Sequence, residues 1–316
     1  MTEAPAISVR GLTKVFGDKT VVDAVDMDVP PGAIYGFLGP NGSGKTTTIR
    51  MMCGLLTPDG GGGECLGYDI LTEAPKIKEN VGYMTQKFSL YGDLTIRENL
   101  DFMARMYRLK DRRKVVDRTL ANLGLEGRGG QLAGTLSGGW KQRLALAACM
   151  QHQPRLLLLD EPTAGVDPKA RRDFWDEIRR LSKRGVTVLV STHYMDEAIQ
   201  CDFIAYIAYG KKLIDGPAAE IPAKVGLHTW RVDGPDLMEL EEALAHRPGV
   251  EQVARFGAQL HVSGTDEDAL AAVIAEEKKK NGTHRWQKKD TELEEAFIYL
   301  MATAADNFGA PGGPGA

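Results

Sequence analysis

The sequence lacks a long apolar segment. No uncharged apolar run among its 316 residues approaches the roughly 20 residues that a helix needs to cross a bilayer. The N-terminus, MTEAPAISVR, also lacks the basic and then apolar pattern of a secretory signal peptide. We therefore expect a soluble chain, so that any work at a membrane requires a membrane-spanning partner on a separate chain.

The sequence has few cysteines, and they are scattered. Cys53, Cys65, Cys149 and Cys201 form no C-x-x-C pair and have no matching set of histidines. This spacing favours reduced, buried thiols in a cytosolic protein over disulfides or metal ligands.

An excess of basic residues is also missing. The chain has 39 Lys and Arg against 43 Asp and Glu, for a net charge of −4, and the two signs are mixed along its length. Proteins that bind nucleic acid usually carry a basic stripe or patch, so we expect no nucleic-acid partner. The length permits one large domain or two moderate ones.

What the sequence does contain is a glycine-rich loop in FLGPNGSGKTTTIR, residues 37–50. The segment from Gly39 to Thr46 fits G-x-x-x-x-G-K-[ST], in which backbone amides cradle phosphates. Lys45 would reach the β- and γ-phosphates, and Thr46 would hold Mg²⁺. The preceding AIYGFL predicts a buried strand and the following TTTIRMMCGLL predicts a helix. Strand, loop and helix in this order are the setting that a phosphate site requires.

The apolar pattern changes several times along the chain. Residues 6–38 predict short strands, TIRENLDFMARMYRL predicts a helix with a Thr95/Glu98 capping box, and RRKVVDRTLANLG predicts a helix ending at Gly124. RLLLLDEP and VTVLVSTH read as buried parallel strands joined by a helix in PKARRDFWDEIRRLSKRG. A helical subdomain at about 87–150 therefore interrupts an α/β core.

The C-terminal part has a different pattern. Four predicted strands, HTWRVDG, VEQVARFG, QLHVSG and HRWQKKD, alternate with helices in DLMELEEALAHR, DEDALAAVIAEEKKK and TELEEAFIYLM. We predict a small separate α+β domain at 226–303. Residues 304–316 are rich in Gly and Pro and predict a disordered tail.

Polar residues follow the buried strands. Asp160 would hold Mg²⁺ beside the loop, and Glu161 would orient or deprotonate a water that attacks the nucleotide. His193 could contact the γ-phosphate and the Gln86 amide oxygen could complete the metal shell, although a lone histidine after a strand is more often a surface or capping residue. Ser137, Gly138 and Gly139 open another helix and make a second anion site, which implies a phosphate from a partner chain.

LSGGWKQR, which contains this second site, resembles the signature motif of ATP-binding cassette (ABC) proteins. GPNGSGKT resembles the family's Walker A loop, Gln86 its Q-loop, LLLLDE its Walker B strand, AGVD its D-loop and STH its switch histidine, all in the family's order. The resemblance covers residues 6 to about 225. It implies a P-loop NTPase cassette with a RecA-like core, an antiparallel β subdomain and a helical subdomain.

The resemblance also implies functional residues. Glu161 and His193 would be catalytic; Thr46, Gln86 and Asp160 would hold Mg²⁺; and the ATP contacts would be Phe16, Gly39, Asn41, Gly42, Ser43, Gly44, Lys45, Thr46 and Thr47, with Ser137, Gly138, Gly139 and Asp167 acting across a head-to-tail dimer. Phe16 would stack on adenine, unless it is a core aromatic. Trp140 departs from the family, which more often has glutamine, glutamate or methionine there, and AGVD departs from the SALD of many relatives.

Three roles fit an ABC ATPase. The first is the motor of a membrane transporter, held at the cytoplasmic face of the membrane by a permease on a separate chain. The second is a protein that acts on nucleic acid or the ribosome, but such relatives carry two cassettes or long coiled coils. The third is a regulatory cassette, which the presence of Glu161 and His193 disfavours. The stretch VDAVDMDVPPGAIYGFLGPNGSGKTTTIRMMCGLLTPDGG and the C-terminal TELEEAFIYLM resemble exporter and drug-resistance cassettes, with an importer as the alternative. We expect Gln86, with exposed Phe88, Leu90 and Tyr91, to line a groove for a helix of the permease; the alternative is that these residues are core or dimer contacts.

Overall fold

The computed structural model describes residues 4–280 and 282–304. The chain divides into two compact units between Lys212 and Leu213. The domain boundary expected near residue 225 stays a prediction. The predicted tail at 304–316 lies outside the described residues, apart from Ala304.

The first unit begins with β-strands and the phosphate loop. Its elements up to the helical subdomain are β1 (Ile7–Phe16), β2 (Lys19–Val29), β3 (Ile34–Leu38), α1 (Lys45–Met52), β4 (Gly60–Cys65), β5 (Tyr68–Asp69), α2 (Ala74–Asn80) and β6 (Val81–Met84). The strands β2, β1, β4 and β5 form an antiparallel sheet in that order. This sheet is the antiparallel β subdomain predicted from the sequence.

The helical subdomain and the rest of the core follow. Their elements are α3 (Ile96–Met106), α4 (Arg112–Leu123), α5 (Gly138–Met150), β7 (Leu156–Asp160), α6 (Pro168–Lys183), β8 (Thr187–Thr192), α7 (Met195–Ala198), β9 (Phe203–Ala208) and β10 (Lys211–Pro217). The capping box of Thr95 and Glu98 at α3 is confirmed, and so is the left-handed Gly124, with φ 66°, at the end of α4.

A sheet of the strands β9, β3, β8, β7 and β6, in that order, forms the centre of the first unit. Neighbouring strands from β9 to β6 run parallel. Every residue of β3, β7 and β8 is buried, as their continuous apolar sequences predict for strands covered on both faces. Because these strands are parallel, their carboxyl ends meet at one edge of the sheet, and the loops that follow them converge there.

The second unit combines helices with an antiparallel sheet. Its elements are α8 (Ile221–Val225), β11 (His228–Asp233), α9 (Leu237–Leu244), β12 (Gln252–Phe256), β13 (Gln259–Gly264), α10 (Glu267–Lys280), β14 (Arg285–Lys289) and α11 (Leu293–Thr303). The antiparallel sheet has the order β12, β13, β11, β14 and packs through Val232, Leu260 and Val262 against apolar residues of α9 and α10. The strands and helices predicted here are all confirmed.

Cys53, Cys65, Cys149 and Cys201 are all buried and free of disulfides, as predicted. Among residues 4–280 and 282–304, no helix combines the length and the apolar character that crossing a bilayer requires.

Candidate nucleotide site

The loop between β3 and α1 has a backbone that requires glycine. Gly39 has φ 155°, and a Cβ there would lie 2.0 Å from the Ile207 carbonyl oxygen. Gly44 has φ 101°, and its Cβ would lie 2.6 Å from the Val21 carbonyl oxygen. Both distances are too short for real contacts, so the glycines let the loop pass close to neighbouring backbone. The loop ends at the first turn of α1, where free amides favour an anion.

Lys45 is buried beneath this loop, with 4% of its surface exposed. Its Nζ donates to the carbonyl oxygens of Gly39 at 2.8 Å and Pro40 at 3.0 Å. Glu161 Oε1 lies 3.4 Å from the same Nζ. Burial lowers the pKa of Lys45, and the nearby Glu161 carboxylate partly opposes that shift. The loop and the end of β7 therefore share one buried cation.

The remaining loop residues differ in exposure. Asn41 and Gly42 are exposed, and Thr47 is half-buried. Ser43 is 2% exposed, and its hydroxyl has no hydrogen-bond partner among the described residues. A buried polar atom normally has a partner, so this hydroxyl fits a loop that receives an oxygen-rich ligand such as a nucleotide phosphate.

Thr46 reaches the end of β7. Its Oγ1 lies 3.0 Å from Asp160 Oδ1 and 2.8 Å from Oδ2. The Ser191 hydroxyl donates to Asp160 Oδ1 at 2.7 Å and accepts from the Glu161 N–H at 3.0 Å. These hydroxyl and carboxylate oxygens are the ligand type that Mg²⁺ prefers. Ser191 was not predicted from the sequence, although a hydroxyl near the end of the buried strand VTVLVSTH was a usable signal.

Glu161 is the point where the other predicted residues meet. It is 8% exposed and has φ 45°, a left-handed conformation that is uncommon outside glycine. Its Oε2 accepts from Gln86 Nε2 at 2.8 Å and lies 3.4 Å from His193 Nδ1. Because the Gln86 nitrogen serves Glu161, the amide oxygen is the atom that could bind a metal. The structure thus brings together Lys45, Gln86 and His193 around one carboxylate.

The second predicted anion site lies beside the D-loop of the same chain. Ser137 is the N-cap of α5, and Gly139 packs so closely on α6 that a Cβ there would lie 2.6 Å from the Ala170 Cβ. Asp167 caps α6, with Oδ1 accepting from the amides of Lys169 at 3.1 Å and Ala170 at 3.0 Å. The beginnings of two helices therefore stand together. The roles of Ser137, Gly138, Gly139 and Asp167 across a dimer stay predictions.

Phe16 lies at the end of β1 and is 51% exposed. Lys14 Nζ lies 5.6 Å from the centre of its ring. The alternative that Phe16 is a core aromatic is therefore wrong, and its stacking on adenine stays a prediction.

Trp140, the departure in the signature motif, packs within the helical subdomain. Its half-buried ring contacts the apolar cluster of α3, α4 and α5. The guanidinium carbons of Arg128 and Arg143 lie 5.6 and 4.9 Å from the ring. The side chain thus has an intrachain packing role, with two cation–π contacts.

The expected groove residues are only partly exposed. Tyr91 is 51% exposed, and its ring meets Phe102 edge-on with centroids 5.3 Å apart. Phe88 and Leu90 are half-buried against the helical cluster. The expectation that Phe88 and Leu90 are exposed is therefore wrong, because they complete the core of the helical subdomain.

Known proteins resemble this chain over most of its length. The ABC transporter family model matches residues 22–164. The Nod factor export ATP-binding protein I of Paraburkholderia xenovorans is 36% identical over 304 residues, which cover 95% of this chain and 98% of the relative. The daunorubicin/doxorubicin resistance ATP-binding protein DrrA of Streptomyces peucetius is 35% identical over 319 residues, covering 96% and 94%.

A third relative is longer than this chain. The probable multidrug ABC transporter ATP-binding protein YbhF of Escherichia coli is 45% identical over 220 residues, and the match spans 69% of this chain but only 38% of YbhF.

Solved structures also align with this chain. An ATP-binding subunit of an ABC transporter aligns with TM-score 0.63 and 26% identity over 70% of this chain and 93% of its own. A dimeric ATP-binding cassette with ADP and Pi, in a post-hydrolysis state, aligns with TM-score 0.61 and 25% identity over 67% and 98%. The chain therefore belongs to the ABC transporter family.

Proposed function

We propose that this chain is the ATP-hydrolysing subunit of a membrane exporter and works with a permease on a separate chain, which holds it at the cytoplasmic face of the membrane. The observation that carries the ATPase part is the meeting of Lys45, Gln86 and His193 around Glu161. The export part is supported by relatives named for multidrug transport, Nod factor export and daunorubicin/doxorubicin resistance.

Nucleotide binding would use the phosphate loop and Phe16. The backbone N–H groups of Gly39 and of residues 41–47, the buried Lys45 and the Ser43 hydroxyl would contact the phosphates, and the exposed Phe16 ring would stack on adenine. Stacking is suited to an exposed ring, because both partners then bury an apolar face.

Mg²⁺ would be held by oxygen atoms. Thr46, Asp160 and the Gln86 amide oxygen are the residues proposed as its ligands, directly or through water. When bound, the ion would neutralise charge that develops on the phosphates. Ser191 would keep the Asp160 carboxylate oriented, since its hydroxyl already donates to Oδ1 at 2.7 Å.

Hydrolysis would depend on Glu161 and His193. The attacking water forms a bond to the γ-phosphorus while the bond from that atom to the ADP oxygen breaks, and Glu161 accepts the proton that the water loses. The hydrogen bond from Gln86 Nε2 orients the Glu161 carboxylate, and the Glu161 N–H, which donates to the Ser191 hydroxyl, holds the backbone of that residue. His193 would contact the γ-phosphate from the end of β8.

The active form would be a head-to-tail dimer, with a second copy of this chain as the simplest partner. The amides of Ser137, Gly138 and Gly139 would contact the γ-phosphate held by Lys45 of the other copy, and Asp167 would lie near the same interface. A solved ATP-binding cassette that aligns with this chain is dimeric and holds ADP and Pi, which supports a dimer. Because Gly139 packs directly on α6, the beginnings of α5 and α6 would move together.

The permease would contact the helical subdomain near Gln86. Tyr91 is the exposed aromatic of this region, whereas Phe88 and Leu90 support it from within. A crosslinker placed at Tyr91 should label the permease in membranes. Labels confined to the cassette would contradict this contact, and a gene beside a periplasmic binding protein would contradict export.

The test of the ATPase mechanism compares the purified chain with Glu161→Gln. We expect the variant to lose turnover by at least about 100-fold and to form a stable dimer with ATP, measured by light scattering. Lys45→Ala is the matched control that should bind no ATP and form no dimer. A Glu161→Gln variant with wild-type turnover would refute the role of Glu161, and monomers in ATP would refute the homodimer.

A further inference from the structure

His193 is held by packing. Its Nδ1 has no hydrogen-bond partner among the described residues, although Glu161 Oε2 lies 3.4 Å away. The imidazole instead lies on the ring of Tyr194, with centroids 4.1 Å apart and planes tilted by 38°. An imidazole that must meet a phosphate in one orientation needs support, and the contact with Tyr194 supplies it.

Tyr194 is in turn held by Arg171. The guanidinium carbon of Arg171 lies 4.5 Å from the centre of the Tyr194 ring. Its Nη1 donates to Asp196 Oδ2 at 3.1 Å, which fixes the plane of the guanidinium. Arg171 belongs to the first turns of α6, where its amide donates to the Asp167 carbonyl oxygen at 2.9 Å. The orientation of Tyr194 is therefore tied to the helix that Asp167 begins.

The buried Glu197 carboxylate connects Arg171 to the turn that follows Glu161. Glu197 is 1% exposed; its Oε1 accepts from the Thr163 hydroxyl and lies 3.6 Å from Arg171 Nε. Thr163 follows Glu161 by two residues in the turn after β7. Burying a carboxylate is costly without partners, so Thr163 and Arg171 keep Glu197 in place, and Glu197 keeps Arg171 over Tyr194.

We propose that Tyr194 and Arg171 are positioning residues, which hold the His193 imidazole toward Glu161 and tie it to the start of α6. The inference rests on the proposed function, because it requires that His193 act on ATP. Neither side chain would contact the nucleotide. Their loss should therefore slow the chemical step and leave ATP binding unchanged.

The test is a double-mutant cycle of Tyr194→Leu with His193→Ala. Tyr194→Leu should lower kcat about tenfold with KM for ATP within about twofold of wild type. Tyr194→Phe keeps the ring and should restore kcat to within about twofold. In the His193→Ala background, Tyr194→Leu should cause no further loss, because the residue that it positions is already gone.

Arg171 offers a second, independent variant. Arg171→Ala should lower kcat by about three- to tenfold, and Arg171→Lys should recover part of that loss because an ammonium can still pair with Glu197 but cannot stack as a planar group. The matched control is Arg180→Ala on the same helix, which removes an ion pair of 2.6 Å to Glu177. Its kcat should match wild type.

The outcomes separate the inference from the proposed function. Additive losses in the double mutant, or equal losses in Tyr194→Leu and Tyr194→Phe, would overturn the positioning role. So would a higher KM with unchanged kcat. If Tyr194→Leu fails to fold, the same cycle with Arg171→Lys decides. Full activity in His193→Ala would instead refute the catalytic role of His193 in the proposed function.

Discussion

Thr46 and Asp160 are 114 residues apart in sequence, yet the threonine hydroxyl lies within 3.0 Å of both carboxylate oxygens. This pair joins the phosphate loop to the end of β7. Because the hydroxyl and the carboxylate are already in contact, they offer adjacent oxygen ligands to a metal ion.

Replacing Thr46 tests whether its hydroxyl and the Asp160 carboxylate hold Mg²⁺. Thr46→Val keeps the shape and removes the oxygen, so turnover should fall about 100-fold, with a higher Mg²⁺ concentration needed for half-maximal rate. Thr46→Ser keeps the oxygen and should stay within about threefold of wild type. Steady-state ATPase measured against Mg²⁺ concentration checks both, and equal rates in all three proteins would argue against the site.

Ser191 should matter for stability as well as turnover. Ser191→Ala leaves the buried Asp160 carboxylate and the Glu161 amide each without one hydrogen bond, which should lower the free energy of unfolding by about 1–2 kcal/mol and slow hydrolysis. Ser182→Ala is the comparison, because that hydroxyl donates at 2.8 Å to the Gly32 carbonyl oxygen away from the site. Urea titration and ATPase assays should show slower hydrolysis only for Ser191→Ala; an equal loss of activity in both variants would contradict a specific role.

The neighbouring glycines of the signature motif should respond differently to alanine. A Cβ on Gly138 has its nearest neighbour, the Gly165 carbonyl oxygen, at 3.9 Å, whereas a Cβ on Gly139 would meet the Ala170 Cβ at 2.6 Å. Gly139→Ala should therefore cost about 1–3 kcal/mol of stability through overpacking, and Gly138→Ala almost none. Gly138→Ala should still weaken ATP-dependent dimerisation, because its methyl group would stand at the proposed phosphate contact. Thermal melting and light scattering measure the two effects, and a well-folded Gly138→Ala that dimerises normally would count against the interface.

His152 should make the fold sensitive to acid. Its ring stacks on Tyr107 with centroids 3.7 Å apart, its Nε2 lies 3.2 Å from the Val81 carbonyl oxygen, and burial lowers its pKa from 6.5 to about 4. Between these pH values the unfolded chain binds the proton and the folded chain does not, so stability falls as pH drops from about 6.5 toward about 4. The partial exposure of the ring limits this loss to about 1–2 kcal/mol.

His152→Gln should reduce that dependence on pH, measured by urea titration at pH 7.5 and 4.5 in roughly equal ionic strength. His246→Gln, which replaces an exposed histidine of the second unit, is the control and should keep the wild-type slope. An unchanged slope in His152→Gln would show that other groups dominate the acid sensitivity.

Much of the fold was predictable because the determining interactions are local. Alternating and continuous apolar runs depend on neighbouring residues, and so do the Thr95 cap and the left-handed Gly124, which all agree with the structure. Exposure was harder to predict. Phe88 and Leu90 were expected at the surface, but they pack on a cluster that extends to Leu144 and Ala148, far along the chain. Phe16 had two interpretations until its exposure was known.

The sequence alone determined which functional groups are available at the site. The glycine-rich loop with Lys45, the acidic residues at the end of LLLLDE and the histidine at the end of VLVSTH each lie within a few consecutive residues. Only the tertiary structure decided how these residues are held. Ser191 meets Asp160 because β7 and β8 are paired in register, and Arg171 meets Tyr194 because α6 packs beside the end of β8. Such contacts depend on the packing of whole elements, and no short stretch of sequence specifies which side chains will meet there.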